Sequence, residues 1–455
     1  MDEEVTPQLR AQRRGWYGYA WASHTFEATV VTVFMSRYLP SVAENAVGKE
    51  GRLHVLGIPL NPGSLFAYTV AFGSALLFLV LPVTGAIADR TGRKREMLLA
   101  FGFLGAASCT AMILVGRTSW QLGALLFLAA FLSYSCGKIV ANSILPDIAG
   151  PDERDRISSV GWAIGYVGGG ILLALNVIAH FFIDDDGTLA RLALCSAGVW
   201  WAIFMLVPLR LLRHLPRSPI AERPIEGSVL TAGFRELGHT IRGLRAVPLT
   251  LLFLLAYLIY YDGITTVTTL ASDYGEKELK LGDTVLLGTI LVVQFTAFGG
   301  ALLLGRLADR WGAKRVVAAS LVVWIGVVLV AYVLQAGSAV QFIALALVLS
   351  IVLGGTQALS RSLYSSMIPA GREAEYFSLY EFSASGTSFL GPLIFGLTLQ
   401  NTGSYRTAIV SLVVFFVVGL AILLTVNVRK AVLASGNTPP ATLGGPAEFR
   451  QPVTS

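Results

Sequence analysis

Apolar residues in this chain gather into runs of about 20, and the polar residues gather in the short stretches between them. A run of that length covers ~30 Å of hydrocarbon when helical, since each residue adds about 1.5 Å. The runs fall near 16–39, 64–88, 97–116, 119–145, 157–183 and 190–212, then 247–271, 283–306, 316–335, 338–362, 376–399 and 405–428. The pattern predicts an all-α membrane protein with 12 transmembrane helices in two six-helix sets.

The same pattern divides the chain. Residues 1–15 are expected to form an N-terminal segment, 16–212 one six-helix bundle and 247–428 the other. The connection 213–246 holds Pro216, Pro219 and Pro224 ahead of a short interfacial helix expected over Val229–Arg245. The tail 429–455 carries Pro439-Pro440 and Gly444-Gly445 with little to bury, and is expected to be disordered.

Composition narrows the class. Of 455 residues 54% are apolar and 14% charged, which as a soluble surface would expose large apolar patches. The net charge of +6 does not point to nucleic acid, because the Lys and Arg residues lie between apolar runs and form no basic face. With the N-terminus inside, 25 of the 34 Lys and Arg residues lie on the cytoplasmic side. Eight lie outside (Arg37, Lys49, Arg52, Arg117, Arg191, Lys277, Lys280 and Arg406), and Lys138 falls within a span. The positive-inside rule then places both termini in the cytoplasm. The first apolar stretch carries His24 and Glu27 and outruns a signal-peptide core, so no cleavable signal is expected. Cys109, Cys136 and Cys195 sit in separate apolar runs without metal-ligand spacing, and read as reduced packing residues. No Walker sequence, metal cluster or nucleophile elbow occurs, so neither a cofactor, a metal nor an enzymatic activity is expected.

One segment occurs twice. Gly85-Ala86-Ile87-Ala88-Asp89-Arg90-Thr91-Gly92-Arg93-Lys94-Arg95 follows the second run, and Gly305-Arg306-Leu307-Ala308-Asp309-Arg310-Trp311-Gly312-Ala313-Lys314-Arg315 follows the eighth. Seven of the eleven positions are identical at an offset of 220, which implies two parallel repeats. Gly85 and Gly305 remove bulk near a helix end. Asp89 and Asp309 can accept hydrogen bonds from a neighbouring helix start, while Arg90, Arg310 and the cations after them meet lipid headgroups. Arg93, Lys94 and Arg95 serve equally well as topological anchors.

Repeat and motif together resemble the major facilitator superfamily, whose signature loop reads Gly, three residues, Asp-Arg, one residue, Gly-Arg-Lys/Arg. Further segments resemble one branch of it, that of the fungal autophagy-related vacuolar amino-acid effluxers and their bacterial relatives. These are Asn142-Ser143-Ile144-Leu145-Pro146-Asp147-Ile148 with Arg156-Ile157-Ser158-Ser159, Tyr261-Asp262-Gly263-Ile264, Gly354 to Ser362, and Gly371 to Phe377 with Phe389-Leu390-Gly391-Pro392. The branch usually has an Asp between the positions of Tyr19 and Trp21, where this chain has Ala20. The resemblance implies secondary transport of a small solute, such as an amino acid, by alternating access. It further implies a duplicated motif that latches a cytoplasmic gate, and a bacterial plasma membrane as the setting. A drug or metabolite exporter of the same fold, and a sensor or scaffold that does not transport, are the alternatives. The partners expected are a small-molecule substrate, the bilayer and, if coupling is chemiosmotic, protons, with a monomer as the working unit.

The resemblance also implies that the first, fourth, seventh and tenth helices line a cavity and the third, sixth, ninth and twelfth face lipid. The latter four contain no ionisable side chain well inside them, whereas the former contain His24, Glu27, Lys138, Asp262 and Arg361. His24 and Glu27 share a helical face near mid-span, where Glu27 can exchange a proton or pair structurally. Asp262, beside Tyr260 and Tyr261, reads either as a site for an amine or proton or as a cap for a break at Gly263. Lys138 and Arg361 either face the pathway or snorkel toward the interface. Asn142 and Gln357 stand one turn from them and can hydrogen-bond solute or helix. Glu381, early in the eleventh run, either favours a helix dipole or pairs with a cytoplasmic Arg at the gate. Gly165, Gly168, Gly169 and Gly170, with Gly299 and Gly300, are expected to permit close packing and gentle bending.

Overall fold

A computed structural model describes residues 6–48, 51–55, 58–213, 215, 247–386 and 390–443. The expected linker helix Val229–Arg245 lies outside the described residues.

The chain is all-α apart from a two-stranded antiparallel hairpin, β1 (Leu53–Val55) and β2 (Ile58–Leu60), between the first two spans. The first span is a composite of α1 (Pro7–Thr25), a π-helical stretch Phe26–Met35, and α2 (Ser36–Val47). The bundle of the first half continues with α3 (Leu65–Thr91), α4 (Lys94–Ala111), α5 (Trp120–Ile148), α6 (Arg154–His180), α7 (Asp186–Phe204) and the short α8 (Leu206–Leu211). The second half holds α9 (Pro248–Lys277), α10 (Asp283–Trp311), α11 (Ala313–Val333), α12 (Ala339–Ser366), α13 (Glu373–Gly386), α14 (Leu390–Thr402), α15 (Tyr405–Ser411) and α16 (Val413–Thr425). Ten of the described helical stretches are long and apolar enough to cross a membrane. The two spans outside that set are the first, diluted by His24 and Glu27, and the eleventh, made of α13 and α14. Leu104, Leu125, Val322 and Leu424 point outward from the bundle, as a lipid-facing surface requires.

The halves meet along two related seams, α3 against α13 and α6 against α10, with α12 also packed on α6. Glycine sets the closeness of these approaches. A Cβ on Gly85 would lie 2.6 Å from the Ala374 carbonyl oxygen, and one on Gly305 would lie 2.6 Å from Ser159 Cβ. Within the first half, a Cβ on Gly168 would meet the Trp21 carbonyl at 2.5 Å, so α6 lies directly on α1.

Two expected boundaries are corrected. The first helix starts at Pro7, with the Thr6 hydroxyl accepting from the Leu9 amide, so residues before 16 belong largely to the bundle. The tail is ordered through Leu443. Its helix α17 (Val428–Ala434) buries Val428, Ala431 and Val432, and Asn437 donates to the carbonyls of Ser366 (2.9 Å) and Ile368 (2.7 Å). A few apolar contacts plus capped carbonyls hold a segment whose composition alone argued for disorder.

Candidate functional site

A cavity of about 420 Å³ enters between the halves. Its wall runs down α12 from Phe342 through Leu345 and Leu349 to Gln357, and down α9 from Tyr274 through Thr268 and Thr265 to Tyr261. Those helix ends are the ones remote from the linker, so the cavity opens on the side opposite the described ends of the chain. Glu27, Tyr166 and Gln294 complete its inner end, and the outer wall is largely apolar.

Below that inner end a polar chain crosses from one half to the other. Lys138 Nζ of α5 lies 3.2 Å from Glu381 Oε2 of α13 and 3.9 Å from Glu27 Oε1. Asn142, one turn beyond Lys138, donates to Glu381 Oε1 at 3.1 Å and accepts from Arg361 Nη1 at 3.2 Å. Arg361 also donates through Nε to the Ser158 hydroxyl (3.0 Å) and through Nη2 to the Ser158 carbonyl (2.9 Å), with its plane over Trp16 and near Trp162. Ser158 in turn donates to the Ala358 carbonyl at 2.6 Å. The two carboxylates differ in freedom. The Glu381 side chain is 7% exposed and doubly held, whereas that of Glu27 is 42% exposed and reaches Lys138 only at 3.9 Å. A charge that must leave water needs such partners, so Lys138 is neutralised by two carboxylates from two halves.

These contacts decide among readings that the sequence leaves open. Lys138 and Arg361 do not snorkel, because each is spent on partners across the seam. Glu381 lies in the polar chain beneath the cavity and pairs with no arginine at the outer gate, since its partners are Lys138 and Asn142. Asp262 faces away from the cavity; its Oδ2 accepts from the Gly391 amide at 2.9 Å, at the start of α14, and α9 runs through Gly263 unbroken. His24 is likewise turned aside. Its Nδ1 lies 3.0 Å from the Ala20 carbonyl and its ring meets Trp162 edge-on, in a space that a Cβ on Gly165 would invade at 2.5 Å.

Beyond the floor the seam is shut on the side of the described chain ends. Asp89 accepts from the amides of Ala374 (3.1 Å) and Glu375 (2.8 Å) at the start of α13. Lys94, buried beside it, reaches Asp147 (2.9 Å), the Ser143 carbonyl (3.0 Å) and Glu373 (3.4 Å). Arg154 donates to the Ser365 carbonyl at 3.1 Å, and Ser362 donates to Asp155. The repeated motif is not used symmetrically. Asp309 and Arg310 are exposed, and among the described residues Asp309 accepts no hydrogen bond. Arg90 is half-buried in the helix end that carries Asp89.

A tyrosine stack lies beside this chain of polar contacts, beyond what the sequence predicts. Tyr257 and Tyr380 stack at 4.0 Å, Tyr364 lies 5.1 Å from Tyr380, and Tyr261 lies 5.0 Å from Tyr257. The four-residue spacings Tyr257/Tyr261 and Tyr376/Tyr380 were the available signal, since each pair shares a helical face.

Comparison with known proteins gives a consistent picture. The family model described as "Vacuole effluxer Atg22 like" matches residues 8–435. The MFS-type transporter YxiO of Bacillus subtilis is 27% identical over 419 residues, covering 90% of this chain and 94% of that protein. Autophagy-related protein 22 of Eremothecium gossypii is 28% identical over 479 residues, covering 94% of each. Among solved structures, the proton:xylose symporter XylE superposes with a TM-score of 0.66 at 13% identity, over 92% of this chain and 94% of that one. A bacterial homologue of the iron transporter ferroportin, in its outward-facing state, superposes with a TM-score of 0.65 at 14% identity, over 91% and 98%. At these identities the structural likenesses speak for the fold alone.

Proposed function

Because the chain belongs to the Atg22-like vacuole effluxer family of major facilitator transporters, we propose that it carries a small zwitterionic solute, such as an amino acid, by alternating access. The observation that carries this reading is the loosely closed pair of Glu27, which lines the cavity's inner end, and Lys138 just below it. A solute with an ammonium and a carboxylate can insert between them, its ammonium meeting Glu27 and its carboxylate meeting Lys138. Lys138 remains neutralised throughout by Glu381, so substrate arrival does not strand a charge. The apolar outer wall of Phe342, Leu345 and Leu349 favours apolar side chains on the solute, and equally an apolar metabolite or drug, which is the competing substrate class.

Protons are the proposed coupling ion and Glu27 the proposed carrier, because it is the half-exposed carboxylate of the site. Export is the proposed direction, and a bacterial plasma membrane with both termini cytoplasmic is the proposed setting, supported by the Lys and Arg asymmetry. The protein is proposed to work as a monomer, since one chain holds both halves and the cavity between them.

The test is flux into proteoliposomes with a panel of labelled amino acids. Counterflow of at least one of them, inhibited by unlabelled zwitterions but not by the amine or acid alone, is expected. Glu27→Gln should abolish accumulation driven by a pH gradient at every solute concentration, whereas exchange of solute for solute should be weakened at low concentration by the lost ammonium contact and recover at saturation, because exchange requires no net proton release. Full pH-driven accumulation in the folded Glu27→Gln protein removes Glu27 as the carrier. Absence of amino-acid flux in the wild type favours the apolar metabolite or drug, and absence of flux of those as well points to a sensor or scaffold.

A further inference from the structure

A second cavity, of about 590 Å³, lies at the closed side, where the beginnings of α6 and α11 meet the tail. Solute passing between the halves has no need of it, because it is separated from the central cavity by the Arg361 and Ser158 contacts.

Its wall carries four cations, Arg154, Lys314, Arg315 and Arg429, against one carboxylate, Asp155. Asp155 is already engaged by the Ser362 hydroxyl. Lys314 donates to the carbonyls of Leu424 and Val426, both at 2.8 Å, which ties the end of α16 to this wall. Arg315 and Arg429 have no ion-pair partner among the described residues. Arg154 uses Nη1 on the Ser365 carbonyl, but its Nε is buried and meets no acceptor. An N–H of a guanidinium left unsatisfied away from water is costly, and a guanidinium fork matches an oxyanion. The start of α11 adds donors of the same kind. Gly312 precedes it at φ 82° and no side chain caps its first turn, so its amides and the positive end of its dipole face the cavity wall.

We propose that this cavity binds a phosphate-bearing anion, held between Arg154 of the first half and the α11 start with Lys314 and Arg315 of the second, with Arg429 closing over it. The tail forms the lid, since the Ala441 amide donates to Asp152 of the first half at 2.6 Å. An anion seated there bridges the halves on the closed side and therefore favours the closed state over its opening. Two sources share this chemistry, the headgroup of an anionic phospholipid and a soluble phosphate compound.

The experiment reads hydrogen exchange over 151–157 and 428–443 in purified protein. It compares phosphatidylcholine nanodiscs, the same discs with inorganic phosphate at a chloride-matched ionic strength, and discs containing phosphatidylglycerol. Protection by phosphatidylglycerol alone assigns the headgroup, and protection by inorganic phosphate in phosphatidylcholine discs assigns a soluble ligand. Arg315→Gln with Arg429→Gln is expected to weaken the protecting interaction about tenfold, as for loss of charged hydrogen bonds. Arg429→Gln alone, at an exposed position, is the fallback should the double variant fold poorly, and is expected to weaken it in the same direction. No protection in either arm, or the same concentration dependence in a folded variant, overturns the proposal. The readout involves no transport, so its failure leaves the substrate reading standing.

Discussion

Asp89 and Asp309 stand at the same position of a motif that is identical at seven of eleven places, yet one is buried on two backbone amides and the other faces solvent. The glycines four residues earlier explain the difference. Gly85 rests on the backbone of Ala374 and Glu375, the first turn of α13, so Asp89 reaches amides that no intrahelical carbonyl can satisfy. Gly305 rests on the Ser159 side chain, beyond the first turn of α6. Asp309 then lies near Asp155, a like charge, with Arg156 as its compensating neighbour. A repeated motif therefore reports common descent of two halves, while the contact each copy makes depends on where the facing helix begins.

The largest effect is expected where backbone meets backbone. In Gly85→Ala the new Cβ would stand 2.6 Å from the Ala374 carbonyl, and neither helix can yield by rotating a side chain. Overpacking of that kind costs about 1 to 3 kcal/mol, or about 5- to 150-fold in the ratio of closed to open states. Loss of exchange protection at the Ala374 and Glu375 amides, with flux reduced in proportion, is the expected result. Unaltered protection would mean that the α3 and α13 seam is looser than its geometry.

Asp89→Asn comes next. The amide side chain can keep one hydrogen bond but presents an N–H to the second amide and loses the charge that favours a helix start. A fall in flux of about tenfold is expected, with substrate binding retained, in keeping with the worth of a hydrogen bond to a charged acceptor. Wild-type flux together with wild-type protection of the Ala374 amide would reduce Asp89 to a topological anchor.

How much of this was readable beforehand follows the same distinction between position and partner. Apolar runs of bilayer length gave the spans, and the repeat gave the parallel halves, because both are properties of spacing alone. Glu27, Lys138, Asn142, Gln357 and Arg361 were recognisable as polar residues inside cavity-side spans. Asp262 was not assignable by that rule, since Tyr261 beside it takes the cavity-facing position and neighbours on a helix diverge by about 100°. His24 and Glu27 were expected on one face from a regular helix, but the π-helical stretch begins at Phe26, between them, and changes the register. The place of Glu381 depends on α13 crossing α5, a contact between residues 243 apart in sequence, which no local pattern carries. The order of the tail likewise rests on carbonyls at the end of α12 that Asn437 happens to reach.

The third expected effect is smaller and tests whether the second seam is ruled by side chains. In Gly305→Ala the clash is with Ser159 alone, so a shift of about fivefold in flux is expected from the low end of overpacking costs. Ser159→Gly in the same chain should restore it, because the offending Cβ is then absent. Failure of that second substitution to restore flux would show that α6 and α10 meet through backbone as α3 and α13 do.

The smallest effect is expected at Asp309, where the comparison is most exposed to refutation. Its carboxylate is solvated, accepts no hydrogen bond among the described residues, and sits near both Asp155 and Arg156. Charges so exposed contribute at most about 1 kcal/mol and are screened by salt. Asp309→Asn should therefore change flux by less than about twofold, and raising the salt concentration should shrink even that difference. Exchange protection at the start of α6 should be unchanged in the closed state. One condition would reverse this expectation: if the molecule, on opening its closed side, slid α10 along α6 until Asp309 met the free amides of the α6 first turn, the second copy would latch the opposite state. Asp309→Asn would then lower flux as far as Asp89→Asn does while leaving the Ala374 and Glu375 amides protected, and the two copies would be alternating latches of one cycle.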